Sequence, residues 1–141
     1  LEGIKERENS VDQPIKILVA DRNRHVREFL RRELSAEGYR VEVARDGREV
    51  LQRLQGEDPP ELLILDLEIP YVDELEVLAR LKARQPSVPV VIHTFLSESA
   101  PPPGLVQAEA FLEKKEDTDQ LKAVVAEVIG KNYPLRSKPA P

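Results

Sequence analysis

The chain is constrained most by a regular exchange between two hydrophobic periodicities. Residues 15–20 (IKILVA) form a short, almost wholly apolar run rich in β-branched side chains, the pattern of a strand covered on both faces. From Arg24 the apolar positions become Val26, Phe29, Leu30 and Leu34. That is the three- and four-residue spacing of a helix, and Gly38 supplies its stop. The exchange then repeats. Residues 41–44 read as a strand, Asp46-Gly47 as a turn and cap, and Val50, Leu51 and Leu54 as the buried stripe of a second helix ended by Gly56. Residues 62–65 (LLIL) are a fully buried strand. Leu75, Leu78 and Leu81 mark a third helix, and residues 88–93 a fourth strand with Pro89 at its start, where a missing donor is tolerated. Residues 110–113 are a weaker fifth strand. A final helix carries Leu121, Val124, Val125, Val128 and Ile129, with Thr118 as its capping candidate and its end near Gly130.

Strands alternating with helices imply a parallel sheet with right-handed crossovers and helices on both faces. The expected class is α/β: a flavodoxin-like, doubly wound, five-stranded sheet in the order 2-1-3-4-5. Pro101, Pro102, Pro103 and Gly104 stand where the fourth crossover helix belongs, so that helix is expected to be shortened or lost. Residues 1–14 read as a polar leader, 15–131 as one domain, and 132–141, with three prolines, as a tail or the start of a linker.

Composition narrows the function classes. With 141 residues, 21 basic and 26 acidic side chains and a net charge of −5, the chain is that of a globular domain, and its size suits one. No apolar run approaches the ~20 residues of a membrane helix, so no membrane role is expected and a cytoplasmic location is the default. Zero Cys removes thiolate metal sites and thiol catalysis, and zero Met suggests that Leu1 is an internal position or a cloning remnant. The arginines of the first helix are interleaved with Glu28, Glu33 and Glu37 and lack stacking aromatics, which speaks against direct nucleic-acid binding. His25 and His93 lack a metal-ligand spacing and read as structural.

In open parallel sheets, ligands bind beyond the carboxyl ends of the strands. The residues there are Asp21, Asp66, Thr94 and Lys114: two carboxylates, a hydroxyl and an ammonium, with no Gly-rich phosphate loop after the first strand. This set suits phosphoryl transfer onto a carboxylate, with one Asp attacking while a cation and a hydroxyl stabilise the phosphoryl oxygens.

The landmarks ILVAD (17–21), LLILD (62–66), Pro70, His93-Thr94 and Leu112-Glu113-Lys114 together resemble the receiver domain of two-component response regulators, over residues 15–131. The resemblance implies that Asp66 accepts phosphate from a histidine kinase, a phosphotransfer protein or a small phosphodonor, that Thr94 reports it, and that Lys114 pairs with it. It implies Mg²⁺ held by Asp21, Asp66 and the backbone carbonyl of Glu68. It further implies a signalling switch in a phosphorelay, not a turnover enzyme, acting on a downstream protein partner and admitting a homodimer.

Departures from the family pattern modulate that expectation. Arg22 replaces a second acidic residue and should lower Mg²⁺ affinity, either pairing with Asp66 or pointing to solvent. Phe95 replaces a small residue beside Thr94 and would slow phosphotransfer. Glu74 stands for a usual Gly, and Lys115 for the Pro that commonly follows the lysine. Phe111 occupies the place of a switch aromatic without a hydroxyl, with an ordinary core ring as the plainer reading. Two alternatives follow: a degenerate pseudo-receiver acting through phosphorylation-independent contacts, and a haloacid-dehalogenase-like phosphatase. The latter is disfavoured because Glu68 stands where that family has a second Asp.

Overall fold

The computed structural model describes residues 13–71, 88–95 and 108–136. Its elements are β1 (Lys16–Ala20), α1 (Arg24–Ala36), β2 (Arg40–Ala44), α2 (Gly47–Gln55), β3 (Leu62–Leu65), β4 (Val90–Thr94), β5 (Ala110–Glu113) and α3 (Asp119–Asn132). The strands form one sheet in the order β2-β1-β3-β4-β5, every neighbouring pair parallel. All residues of β1, β3 and β4 are buried, which is why their sequences are mostly apolar instead of alternating, with Lys16 at the start of β1 and His93-Thr94 at the end of β4. The third helix and the interrupted fourth helix of the sequence reading, with Glu74 and Pro101–Pro103, lie outside the described residues.

Side-chain alternation splits the interior into two layers. Leu18, Ala20, Leu63, Leu65 and Ile92 face one side, where α2 contributes Val50 and Leu54. Ile17, Val19, Ile64, Val91 and Leu112 face the other, against Leu30 and Leu34 of α1 and Leu121, Val125 and Ile129 of α3. Helices on both faces make the sheet doubly wound. At its start α1 is capped by the Asn23 side chain, which accepts from the amides of His25 and Val26, and at its end Gly38 takes a left-handed φ of 96°. Asp46 caps α2 through the Glu49 amide.

Three local expectations need correction. β4 begins at Val90, after Pro89, because a ring nitrogen without a proton cannot enter the ladder. Thr118 stands at the cap position of α3 but makes no capping bond; its hydroxyl donates to Glu33 of α1 at 2.9 Å. The α3 helix also runs through Gly130 to Asn132, since Val128 and Ile129 hold its last turns in the core. Beyond it the chain folds back. The Tyr133 hydroxyl donates to the Glu61 carbonyl at 2.7 Å, and Arg136 pairs with Glu61 and donates to the carbonyls of Gln13 and Pro14.

Candidate functional site

The parallel order brings the carboxyl ends of β1, β3, β4 and β5 to one rim, and the four strand-end residues arrive with them. Asp21 follows β1 and Asp66 follows β3; each is 1% exposed. Thr94 ends β4 and is buried. Lys114, one residue past β5, sends its ammonium inward, 2.8 Å from Asp21 Oδ2 and 3.4 Å from Asp66 Oδ2. Its amide donates to the Thr94 carbonyl at 2.8 Å, which ties Lys114 to the end of β4.

The carboxylates are oriented by backbone amides. Asp21 Oδ1 accepts from the Asn23 amide at 2.8 Å, and Asp66 Oδ1 from the Glu68 amide at 3.2 Å. Burial pushes the Asp21 carboxyl above its usual range and the neighbouring Asp66 adds to the rise, while Lys114 and the Asn23 amide pull it back. Arg22 lies at the mouth of this pocket with its side chain half-exposed. Its guanidinium bonds Glu68 Oε2 at 3.0 Å, and its Nε stands 4.0 Å from Asp66 Oδ2. Its own amide donates to the same oxygen at 3.4 Å. Both sequence alternatives for Arg22 are thus partly realised: it reaches toward Asp66, yet its shortest contact is the Glu68 side chain.

Phe95 stands 61% exposed, and the Lys114 ammonium lies 5.1 Å from its ring centroid, so the ring borders the pocket from the solvent side. Phe111 is not part of the cluster. It also departs from the core-ring reading, being 36% exposed, because the burial of β5 falls on the Leu112 face.

Two residues bordering the site are not assigned to it by the sequence: Asn23 is not singled out there, and His93 reads as structural. Asn23 both caps α1 and fixes Asp21; an Asn directly before a helical periodicity was the available signal. His93 is the other. It is buried, its Nδ1 has no hydrogen-bond partner among the described residues, and burial together with the Lys114 charge lowers its pKa to about 4. With Phe29, Phe95 and Lys114 it lines a cavity of about 680 Å³ against α1; only position on β4 hinted at this.

Asp21 and Asp66 are hard oxygen donors, and Mg²⁺ is ordinarily held by one or two carboxylates plus water and phosphate oxygens. The donor set therefore fits Mg²⁺. Among the described residues no group of three or more His, Cys, Asp or Glu side chains is placed to hold a metal ion, so backbone and water oxygens would complete the shell. Among the same residues, no helix is long and apolar enough to cross a membrane.

Comparison with known proteins agrees with this geometry. The family model of the response regulator receiver domain matches residues 17–126. The response regulator MprA of Mycolicibacterium vanbaalenii is 46% identical over 81 residues, covering 57% of this chain and 35% of that protein, so the chain spans about a third of the length of such relatives. Among solved structures, the response regulator TrrA of Thermotoga maritima, in complex with Mg²⁺-BeF, has a TM-score of 0.72 at 30% identity, covering 81% of this chain and 98% of its own. A structure of the histidine kinase ThkA in complex with TrrA has a TM-score of 0.72 at 29% identity, covering 82% and 98%. The sheet order, the rim of acids with one lysine, and these matches lead to one assignment: the chain belongs to the receiver domain family of two-component response regulators.

Proposed function

We propose that Asp66 is a phosphoacceptor and that residues 15–131 form a phosphorylation-controlled switch, located in the cytoplasm, which turns over no substrate of its own. The observation that carries this reading is the Lys114 ammonium shared by two buried carboxylates, Asp21 and Asp66, at the carboxyl rim of the sheet. A carboxylate oriented by a backbone amide and flanked by a cation is a competent nucleophile toward phosphorus.

In the step, an Asp66 oxygen attacks the phosphorus of a phosphohistidine or of acetyl phosphate. The new O–P bond forms as the P–N or P–O bond to imidazole or acetate breaks, and the product is an aspartyl phosphate. Lys114 pairs with the phosphoryl oxygens, and the Thr94 hydroxyl donates to one of them. Asp21, Asp66 and the Glu68 carbonyl would hold Mg²⁺, which when bound screens negative charge at the acceptor. Because Lys114 and Thr94 are joined through the backbone, their movement toward the phosphoryl group reaches the β4–β5 edge. The partners that suit this role are a histidine kinase or phosphotransfer protein upstream, as in the ThkA–TrrA complex, and a protein recognised through the altered edge downstream.

Incubation with acetyl phosphate and Mg²⁺ is expected to give one phosphoryl adduct by intact mass, absent in Asp66→Asn. No adduct in the unsubstituted chain would leave the pseudo-receiver as the better account, and continuous phosphate release the phosphatase.

A further inference from the structure

We infer that Arg22 is an internal counter-cation of the acidic pocket, so that Mg²⁺ binds weakly and phosphoryl uptake depends only shallowly on it. The inference rests on Asp66 being the acceptor.

Three features support it. First, Asp66 Oδ2 already has two cations near it, the Lys114 ammonium at 3.4 Å and the Arg22 guanidinium with Nε at 4.0 Å, and it accepts from the Arg22 backbone amide at 3.4 Å. Second, the cluster is close to neutral. Asp21, Asp66 and Glu68 bring three negative charges, Arg22 and Lys114 two positive ones. A divalent ion entering here gains less attraction than in an uncompensated acidic pocket and meets the positive charge of a guanidinium at its mouth. Third, among the described residues the closest partner of the guanidinium at the mouth of the pocket is Glu68, itself half-exposed, at 3.0 Å. Such a surface pair is weak. A phosphoryl dianion on Asp66 is a stronger partner for a planar guanidinium than one exposed carboxylate. Exchange of Glu68 for the phosphoryl oxygens then requires only a side-chain movement at a position already 4.0 Å from the acceptor. Glu68 acts as a parking place for the cation in the unphosphorylated state.

Two measurements test this, and the first is independent of phosphorylation. Mn²⁺ binding, followed by water-proton relaxation with Mg²⁺ as competitor, is compared in the unsubstituted chain, Arg22→Gln and Arg22→Asp. Removing a unit charge near a divalent site, and then reversing it, should tighten binding about threefold and then by at least about tenfold. Equal affinity in the unsubstituted chain and Arg22→Gln overturns the inference. In the second, acetyl phosphate labelling is timed with Mg²⁺ and with EDTA. The unsubstituted chain should retain labelling within about tenfold of its Mg²⁺ rate, since one cationic partner of the phosphoryl group is built in. Arg22→Gln should lose at least about tenfold more. Complete loss of labelling in EDTA for both forms overturns the shallow dependence. If no form is labelled with Mg²⁺ present, the phosphoacceptor reading has failed, while the metal affinities still decide whether Arg22 opposes the ion. Arg22 is half-exposed, so its variants should remain folded at the assay temperature, checked by their thermal midpoints.

Discussion

At the scale of single residues, the pocket holds charges that burial disfavours. Asp21 is buried beside a second buried carboxylate, and one ammonium serves both. Burial raises its pKa in the folded protein, with Asp66 adding to the rise, so the ionised form costs stability at neutral pH. Asp21→Asn is therefore expected to raise the melting temperature by a few degrees, equivalent to about 1 kcal/mol. The gain should shrink as pH falls toward the carboxylate range, because the folded chain takes up the Asp21 proton more readily than the unfolded one. A lowered melting temperature would show that the 2.8 Å pair with Lys114 outweighs the burial. His93 acts in the opposite direction. Its pKa is lowered from 6.5 to about 4 by burial first and the Lys114 charge second, against Asp66, which raises it. Between those values the unfolded chain holds a proton that the folded one does not. Stability contributed by His93 should fall as pH drops through that window, by about 3 kcal/mol in full. Urea midpoints at pH 7 and 4.5 should diverge less in His93→Leu than in the parent; an unchanged difference would assign the acid loss to other groups.

At the scale of elements, α1 and α3 share one face of the sheet and are joined at their polar edge by a small knot. Glu33 accepts from the Thr118 hydroxyl and from Lys122, each at 2.9 Å. Thr118→Val should cost about 1 kcal/mol by removing a hydrogen bond while keeping the volume, read as a shift of the denaturation midpoint with unchanged slope. No shift would mean that Lys122 alone satisfies Glu33. This contact also shows where sequence reasoning stops. Thr before an apolar periodicity is an ordinary capping signal, but the competing acceptor lies 85 positions away, beyond any local window. The strand-end residues were legible because β1 and β3 are buried on both faces and end visibly at Asp21 and Asp66, while the apolar run of β4 gives way to His93-Thr94. Asp21, Asp66, Thr94 and Lys114 needed only the parallel order to converge. Arg22 was less legible, since solvent, Asp66 and Glu68 are all within reach of a long side chain and their balance is tertiary. Phe111 was misread for a related reason: on the edge strand one face packs and the other does not, and a lone aromatic does not say which it takes.

At the scale of the whole molecule, the acidic rim and the chain after α3 lie at opposite ends of the sheet. Tyr133 and Arg136 fasten that segment to Glu61, Gln13 and Pro14, at the amino ends of β1 and β3. The domain proposed for residues 15–131 is thus braced by residues beyond its expected boundary. Tyr133→Phe should cost about 1 kcal/mol through loss of the bond to the Glu61 carbonyl, and ending the chain after Asn132 should cost more, both measured by chemical denaturation. Equal stability of the shortened chain would make the brace incidental. A different consequence follows from the 2.8 Å bond between the Lys114 amide and the Thr94 carbonyl. The two residues proposed to meet the phosphoryl group are joined by one rung of backbone. A shift of either residue's backbone would be passed through that rung to the other strand, so the outer edge of the sheet is placed to feel both.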